Sequence, residues 1–419
     1  MKIQTRSTCR VCDGALNPIL SLGEHYVSDF LDPSQPDGIQ APLELGLCEC
    51  CHLLQLKHTV SANKLYQNYW YKSGTNQTMR DALADIANTG EQLIHLQNGD
   101  TVLDIGCNDG TLLDAYRTED LFKIGIDPAE NMAPFARSVA DKVITDFFSA
   151  DLFRKDPDLV GRLPRVVTSI AMFYDLEDPR KFVADIKETM HPDGVWIVQM
   201  SYLPMMLKTN ELGNICHEHL EYYSLHSLEY LLRLYDFEVV DVELNDVNGG
   251  SFRTYIRSKS ANKDAFGDPT YRKLAMERVQ TLWEQEVQMG LHLRQAYEEF
   301  AFWVQRVKND VAKFIADQVN RGKKVYVYGA STKGNTVLQY FGLDHTLITA
   351  AAERNPEKWG KVTVGTRIPI ISEEEARAAN PDYFLVLPWH FIEEFKTREK
   401  KYLLSGGRFI LPAPYFTLI

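Results

Sequence analysis

The sequence predicts an α/β fold: a doubly wound, mostly parallel sheet, with a small metal-bearing unit before it and a second α/β unit after it. Three observations predict this. Strand and helix patterns alternate from about Thr78 to Ser258. A strand runs into a glycine turn and a helix twice, at Thr101–Leu113 and at Lys323–Leu343. Four of the seven cysteines fall in two CxxC pairs near the N-terminus.

A chain of 419 residues is too long for one core, so two or three domains are expected. The pattern divides it into units 1–68, 69–260, a helical linker 261–321, and 322–419. A formal net charge of −12, with no Lys/Arg run, argues against a nucleic-acid partner. No apolar run reaches about 18 residues, so no membrane span is expected. The odd cysteine count and the CxxC pairing favour metal-bound thiolates in a reducing cytoplasm over a disulfide framework. A monomer or small homo-oligomer is the expected state.

The stretch TVLDIGCNDGTLL organises the middle unit. Val102, Leu103 and Ile105 read as a buried strand. Gly106 and Gly110 bracket a turn in which the backbone bends and lets a ligand approach. Asn108 lies inside that turn. Asp104, at the strand's carboxyl end, is placed to meet an amine. Asp127, followed by Pro128, closes the next strand, Lys123–Asp127. An acid about 20 residues after such a turn suits ribose hydroxyls. The pattern lacks GxGxxG. Asp146, Phe147 and Phe148 follow the third strand, Lys142–Thr145, where a carboxylate meets an adenine amine and an aromatic stacks on the ring; the phenylalanines suit a core equally. Ala171 to Pro179 follows the fourth strand, Arg165–Ile170, and carries Tyr174 and Asp175. Further strands are expected at Gly194–Gln199, Phe237–Leu244 and Ser251–Arg257.

In the first unit Cys9 and Cys12 form one pair, and Cys48 and Cys51 the other, with Cys50 an extra thiol. Two CxxC turns complete an S4 site that suits structural zinc, with iron as the metal alternative. Tyr69, Tyr71, Lys72 and Asn76 then lead into a helix from Thr78 to Ile94. This aromatic and polar junction is where a small molecule would be expected.

The densest polar cluster is NICHEHLEYYSLHS, Asn214 to Ser227, with Cys216, His217, Glu218, His219, Tyr222 and His226. It reads as a solvated helix face, a metal site, or general-base machinery. Arg253, after the Asn248–Ser251 turn, is placed to clamp a phosphate. In the last unit Gly329, Ser331 and Lys333 resemble an anion-binding turn, with a plain βα turn the equal alternative. The GKS/GKT end of an ATP-hydrolysing loop is absent.

The glycine turn with its second acid resembles the S-adenosylmethionine site of class I methyltransferases. The order CxxC…CxxC, DIGCNDG, HEH with tyrosines, and YGASTKGN resembles, over essentially the whole chain, the sugar C-methyltransferases that act on nucleotide-linked ketosugars in deoxysugar pathways. That resemblance implies a zinc-binding unit, a central Rossmann-like unit for S-adenosylmethionine, and a C-terminal Rossmann-like unit that helps hold the nucleotide sugar. It implies His219 as the base, Glu218 as its orienter, and Tyr69 or Tyr71 near the sugar; His217 is a rival base. Tyr71, Tyr222 or Tyr174 would supply the enolate donor. Two departures fall near the sugar: Cys216 where some members have tyrosine, and Asp175 where some have histidine.

Overall fold

The computed structural model describes residues 3–66 and 71–419. Tyr69 lies outside the described residues.

The predicted central sheet forms with seven strands, each close to its expected bounds. These are β1 Thr101–Ile105, β2 Phe122–Ile126, β3 Lys142–Ile144, β4 Val166–Ile170, β5 Val195–Ser201, β6 Phe237–Asn245 and β7 Ser251–Ser258. Their spatial order is β3-β2-β1-β4-β5-β7-β6. The first five run parallel. β7 is antiparallel and slots between β5 and β6. Strands of such a sheet are buried on both faces, and β1 is buried at every position, Asp104 included. The order reverses between β1 and β4, and ligands bind at the carboxyl ends of strands flanking such a reversal.

The N-terminal sheet uses Leu16–Tyr26, Gln40–Cys48 and Leu54–Leu56. Its fourth strand is Glu221–Tyr222, from the histidine-rich segment, with Tyr222 opposite Leu54. The C-terminal sheet has six strands, in the order Ile370–Ser372, Ala351–Glu353, Val325–Tyr328, Tyr383–Val386, Arg408–Leu411, Thr417–Leu418. Phe30–Leu31 pairs with Val362–Thr363, tying the first unit to the last. The long charged stretch forms two helices, Pro269–Gln288 and Arg294–Asn320.

One apolar core joins the N-terminal sheet, the histidine-rich segment, the linker helix and the last sheet. Leu45 and Leu54 of the N-terminal sheet, Ile215 and Leu220 beside the histidines, Tyr297 and Val311 of the linker helix, and Val327 of the last sheet belong to it. The histidine-rich segment is therefore clamped from three sides rather than hung from a loop. Among the described residues no helix is long and apolar enough to cross a membrane.

Candidate active site

The glycine turn after β1 is held by the second acid. Asp127 accepts from the Asn108 N–H at 2.7 Å through Oδ2, and from the Ala129 N–H at 2.8 Å through Oδ1. Burial pushes its carboxyl above the ordinary carboxylate range. Gly106 and Gly110 both take positive φ, +75° and +82°. At Gly110 a side chain would meet Val139 at 2.6 Å and the Ala136 backbone at 3.0 Å, so only glycine lets the turn sit against that segment.

Asp104 departs from its expected setting. Its carboxyl is buried beneath the turn and accepts from the Thr168 hydroxyl at 2.6 Å. Desolvation pushes it up to about 7, with Asp127 and Asp109 adding to the rise. It braces the turn against β4 instead of standing open at the strand's end.

A strap crosses this turn. Asn108 donates from Nδ2 to the Tyr71 carbonyl at 3.0 Å and accepts from the Ser73 N–H at 3.0 Å. The Gly74 N–H donates to Asp109 at 2.8 Å. The Tyr71 side chain is 44% exposed beside it. The Lys72 ammonium sits over the Phe135 ring at 3.2 Å, and Asn76 caps helix Gln77–Ile94 by accepting from the Thr78 N–H.

At the other strand ends, Phe147 is 40% exposed and Asp146 is exposed beside it. Phe148 turns inward against Phe153 and Phe182, so only Phe147 presents an uncovered ring. Pro128 is half-buried after Asp127. Ala171 is exposed at φ +54°, with its N–H on the Gln199 carbonyl at 2.8 Å.

The histidine-rich segment is neither a helix face nor a metal cluster among the described residues. It turns through Leu212–Asn214, enters strand Glu221–Tyr222, and only then becomes helix Leu225–Arg233. Glu286 of the linker caps that helix by accepting from the Leu225 and His226 N–H groups, a role that gave no sequence signal.

His219 is half-buried. Its Nδ1 meets the Asn214 carbonyl at 2.9 Å, and its ring stands edge-on to Tyr174 with centroids 4.5 Å apart. The carbonyl accepts, so Nδ1 carries the hydrogen and Nε2 keeps its lone pair. Glu218 is the expected orienter, but the His219 Nδ1 is held by the Asn214 carbonyl, and Glu218 lines a cavity with Asp175. Desolvation, with the Lys333 charge second, lowers His219 to about 3. His217 is buried, holds the Ala41 carbonyl at 3.0 Å through Nε2, and is lowered to about 4 by burial. That places His217 in packing between units. Tyr222 is buried and donates to the Asn214 carbonyl at 3.3 Å. Burial pushes the Cys216 thiol well up.

The C-terminal turn comes to the same place. Lys333 is half-buried; burial lowers its ammonium, while Glu211 and Cys216 act on it in the opposite direction. Glu211 accepts from the Trp389 indole N–H and, at 3.1 Å, from the Gly213 N–H. His390 is lowered to about 4 by burial and by Lys333. Two of the turn's N–H donors are engaged within the protein. The Ser331 hydroxyl accepts from the Gly334 N–H at 3.0 Å, and the Ala330 N–H goes to Glu353 at 3.0 Å. At Gly329 a side chain would strike Pro388 at 2.9 Å. Lys333 is the cationic side chain that this turn brings to the site.

Arg253 does not join this site. Its guanidinium is buried and donates to Gln199 at 3.0 Å, Asp85 at 2.8 Å and Glu243 at 3.3 Å, which leaves no fork for a phosphate.

Cys9, Cys12, Cys48 and Cys51 bring their sulfurs within 4.8 Å of one another. Cys9–Cys51 is 3.5 Å and Cys12–Cys48 is 3.3 Å. Gln55 and the Val11 N–H both donate to the Cys9 sulfur. The hydrogen bond from Cys51 holds Cys9 down to about 5, while burial pushes Cys12 up to about 12. Four cysteine sulfurs this close can close around one cation, which would hold them as thiolates, and an all-sulfur set of four is the donor set of structural zinc. Cys50 is exposed and points to Tyr230 at 3.7 Å, outside the cluster.

Three family models match in chain order: a zinc binding domain over 9–66, a methyltransferase domain over 71–242, and a C-methyltransferase C-terminal domain over 246–414. The chain is 32% identical over 411 residues to C-methyltransferase NovU of Streptomyces niveus, covering 97% of this chain and 95% of that one. Among solved structures it is similar to the PH0226 protein of Pyrococcus horikoshii OT3, with 17% identity, 45% of this chain, 94% of that chain and a TM-score of 0.35. It is also similar to the plantazolicin methyltransferase BpumL in complex with SAH, with 12% identity, 43% of this chain, 84% of that chain and a TM-score of 0.34. Matched in all three parts and along nearly the whole of a curated relative, the chain belongs to the C-methyltransferase family and is an S-adenosylmethionine-dependent methyltransferase with a zinc-binding domain.

Proposed function

We propose that this enzyme methylates a carbon of a nucleotide-linked ketosugar, next to the ketone, with C-3 beside a C-4 ketone as the reading that the family resemblance supports. One observation carries it. His219 holds its ring by Nδ1 on the Asn214 carbonyl, which frees Nε2, in a segment that also receives Lys333 from the C-terminal turn.

In this reading Asp127, Asn108, Asp146 and the exposed Phe147 hold the cofactor, which supplies an electrophilic methyl group when bound. His219 Nε2 takes the proton from the carbon beside the ketone, leaving an enolate whose carbon is the nucleophile. Tyr71, exposed beside the strap, donates to the enolate oxygen. Lys333 binds the diphosphate. Its free charge lowers His219, so an anion on Lys333 raises the basicity of that ring at the moment substrate is present. Deoxysugar biosynthesis in the cytoplasm, as a monomer or small homo-oligomer, is the setting that goes with this reading.

The test is product analysis. The enzyme is incubated with labelled S-adenosylmethionine and a panel of nucleoside-diphosphate ketosugars. Label on a ring carbon beside the ketone is expected. Label on oxygen or nitrogen alone would replace this reading with another acceptor chemistry.

A further inference from the structure

The first CxxC turn carries an arginine between its cysteines. Arg10 is buried, and the five N–H donors of its guanidinium are all used. Nη1 donates to Gln55 Oε1 at 3.2 Å and to the Leu56 carbonyl at 2.6 Å. Nη2 donates to the Thr59 hydroxyl at 2.8 Å and to Glu177 Oε2 at 3.1 Å, and Nε donates to the same Glu177 oxygen at 3.2 Å. Glu177 belongs to the loop after β4. Arg6 donates to its Oε1 at 2.5 Å, and the Thr59 hydroxyl donates to its Oε2 at 2.6 Å.

That loop carries Tyr174. At one end Phe173 is packed against Trp196 and Tyr223; at the other Glu177 is gripped by the N-terminal unit. Between these anchors the Tyr174 ring meets His219, and its carbonyl accepts from the Leu220 N–H at 2.9 Å. The opposite side of the same ring contact is tied to the same turn. Gln55 accepts from the Arg10 N–H at 3.1 Å and donates to the Cys9 sulfur at 3.1 Å. Its backbone pairs with Glu221, two positions beyond His219.

A buried charge pair contributes little to stability by itself, because desolvation offsets the attraction. A guanidinium fork does fix direction as well as distance. A displacement of about 1 Å at a reacting group costs as much as 10²-fold in rate.

We propose that Arg10 and Glu177 are positioning residues for the reaction: they carry the geometry of the cysteine cluster to Tyr174, and so fix where the His219 ring points. This rests on His219 as the base for a ketosugar, proposed above. It gives the N-terminal unit a part in the chemistry without any contact with the reacting atoms.

The experiment uses the zinc-loaded full chain, S-adenosylmethionine and a nucleoside-diphosphate ketosugar that the unaltered enzyme methylates. Glu177→Gln should lower kcat by about 10–100-fold. Exchange of the ketone-adjacent hydrogen in deuterated water, without methyl transfer, should slow by the same factor. Zinc content by metal analysis and calorimetric S-adenosylmethionine affinity should stay within about twofold, a split that general loss of structure would not give. Glu177→Asp keeps the charge and should recover most of the rate. If Glu177→Gln does not fold, Arg6→Gln carries the test, since it removes one donor from a half-buried side chain; its expected loss is about 3–10-fold. Unaltered kcat and exchange in the folded variants overturn the inference and leave the ketosugar reading standing. A rate loss that comes only with lost zinc or lost cofactor binding also overturns it, and makes the network a structural tie. No exchange by the unaltered enzyme with any ketosugar, and label on oxygen or nitrogen alone, removes the ketosugar reading and this inference with it.

Discussion

His219 stands edge-on to Tyr174, ring centroids 4.5 Å apart, while its Nδ1 is fixed on the Asn214 carbonyl. The ring is thus oriented by one main-chain acceptor and one aromatic edge, and its other nitrogen is left for chemistry.

His219→Asn is the variant that separates these roles. Asparagine keeps a side-chain donor for the Asn214 carbonyl and lacks Nε2. Both ligands should still bind, with turnover down by about 10²–10⁴-fold. Exchange of the ketone-adjacent hydrogen in deuterated water should stop as well. Exchange at the unaltered rate would pass the proton to another group, with Tyr71 next in line.

The four-cysteine cluster should carry about one zinc per chain, and Cys48→Ser should lose both the metal and the folded N-terminal unit. Cys50→Ser is the matched control, since that thiol points away to Tyr230. Metal analysis and thermal unfolding check this. Equal zinc and equal Tm in Cys48→Ser would remove the cluster's structural role.

Gly110 and Gly99 both sit at positive φ, but nothing lies within 4 Å of a side chain at Gly99. Gly99→Ala should cost about 1–2 kcal/mol from backbone strain alone. Gly110→Ala adds the collision with Val139 and Ala136, for roughly 1–3 kcal/mol more. Denaturant unfolding compares the two. Equal losses would show that the turn does not press on that segment.

His217 makes stability depend on pH. Its folded value is lowered to about 4 from an ordinary 6.5. Between those values the unfolded chain holds more protons, so stability is lost as pH falls through that window, by up to about 3 kcal/mol. Asp104, raised to about 7, acts with the opposite sign and loses stability as pH rises from about 4 to 7. The difference between the unaltered protein and His217→Gln isolates the histidine, because glutamine can still donate to the Ala41 carbonyl. A difference in unfolding free energy that stays constant from pH 7 to pH 4 would contradict a neutral His217.

Much of this protein was settled by local pattern. The β1 turn, the acid at the end of β2, the CxxC pairs and the helical linker are each written in a short stretch of chain. Period, glycine placement and cysteine spacing act within a few residues, so they can be read without knowing what packs on them. The tertiary structure decided what those residues face. Asp104 looked open and is buried under Thr168; Arg253 looked free and is spent on Asp85, Glu243 and Gln199. Ser331 caps its own helix. The orienting acceptor for His219 is a backbone carbonyl, at Asn214, which every residue possesses and no motif marks. Asp175 and Glu218, 43 positions apart by their numbers, share a cavity because Leu220 bonds to Tyr174. Spacing along a chain sets local geometry, whereas partners, burial and charge at a site come from segments that meet only when the sheets close.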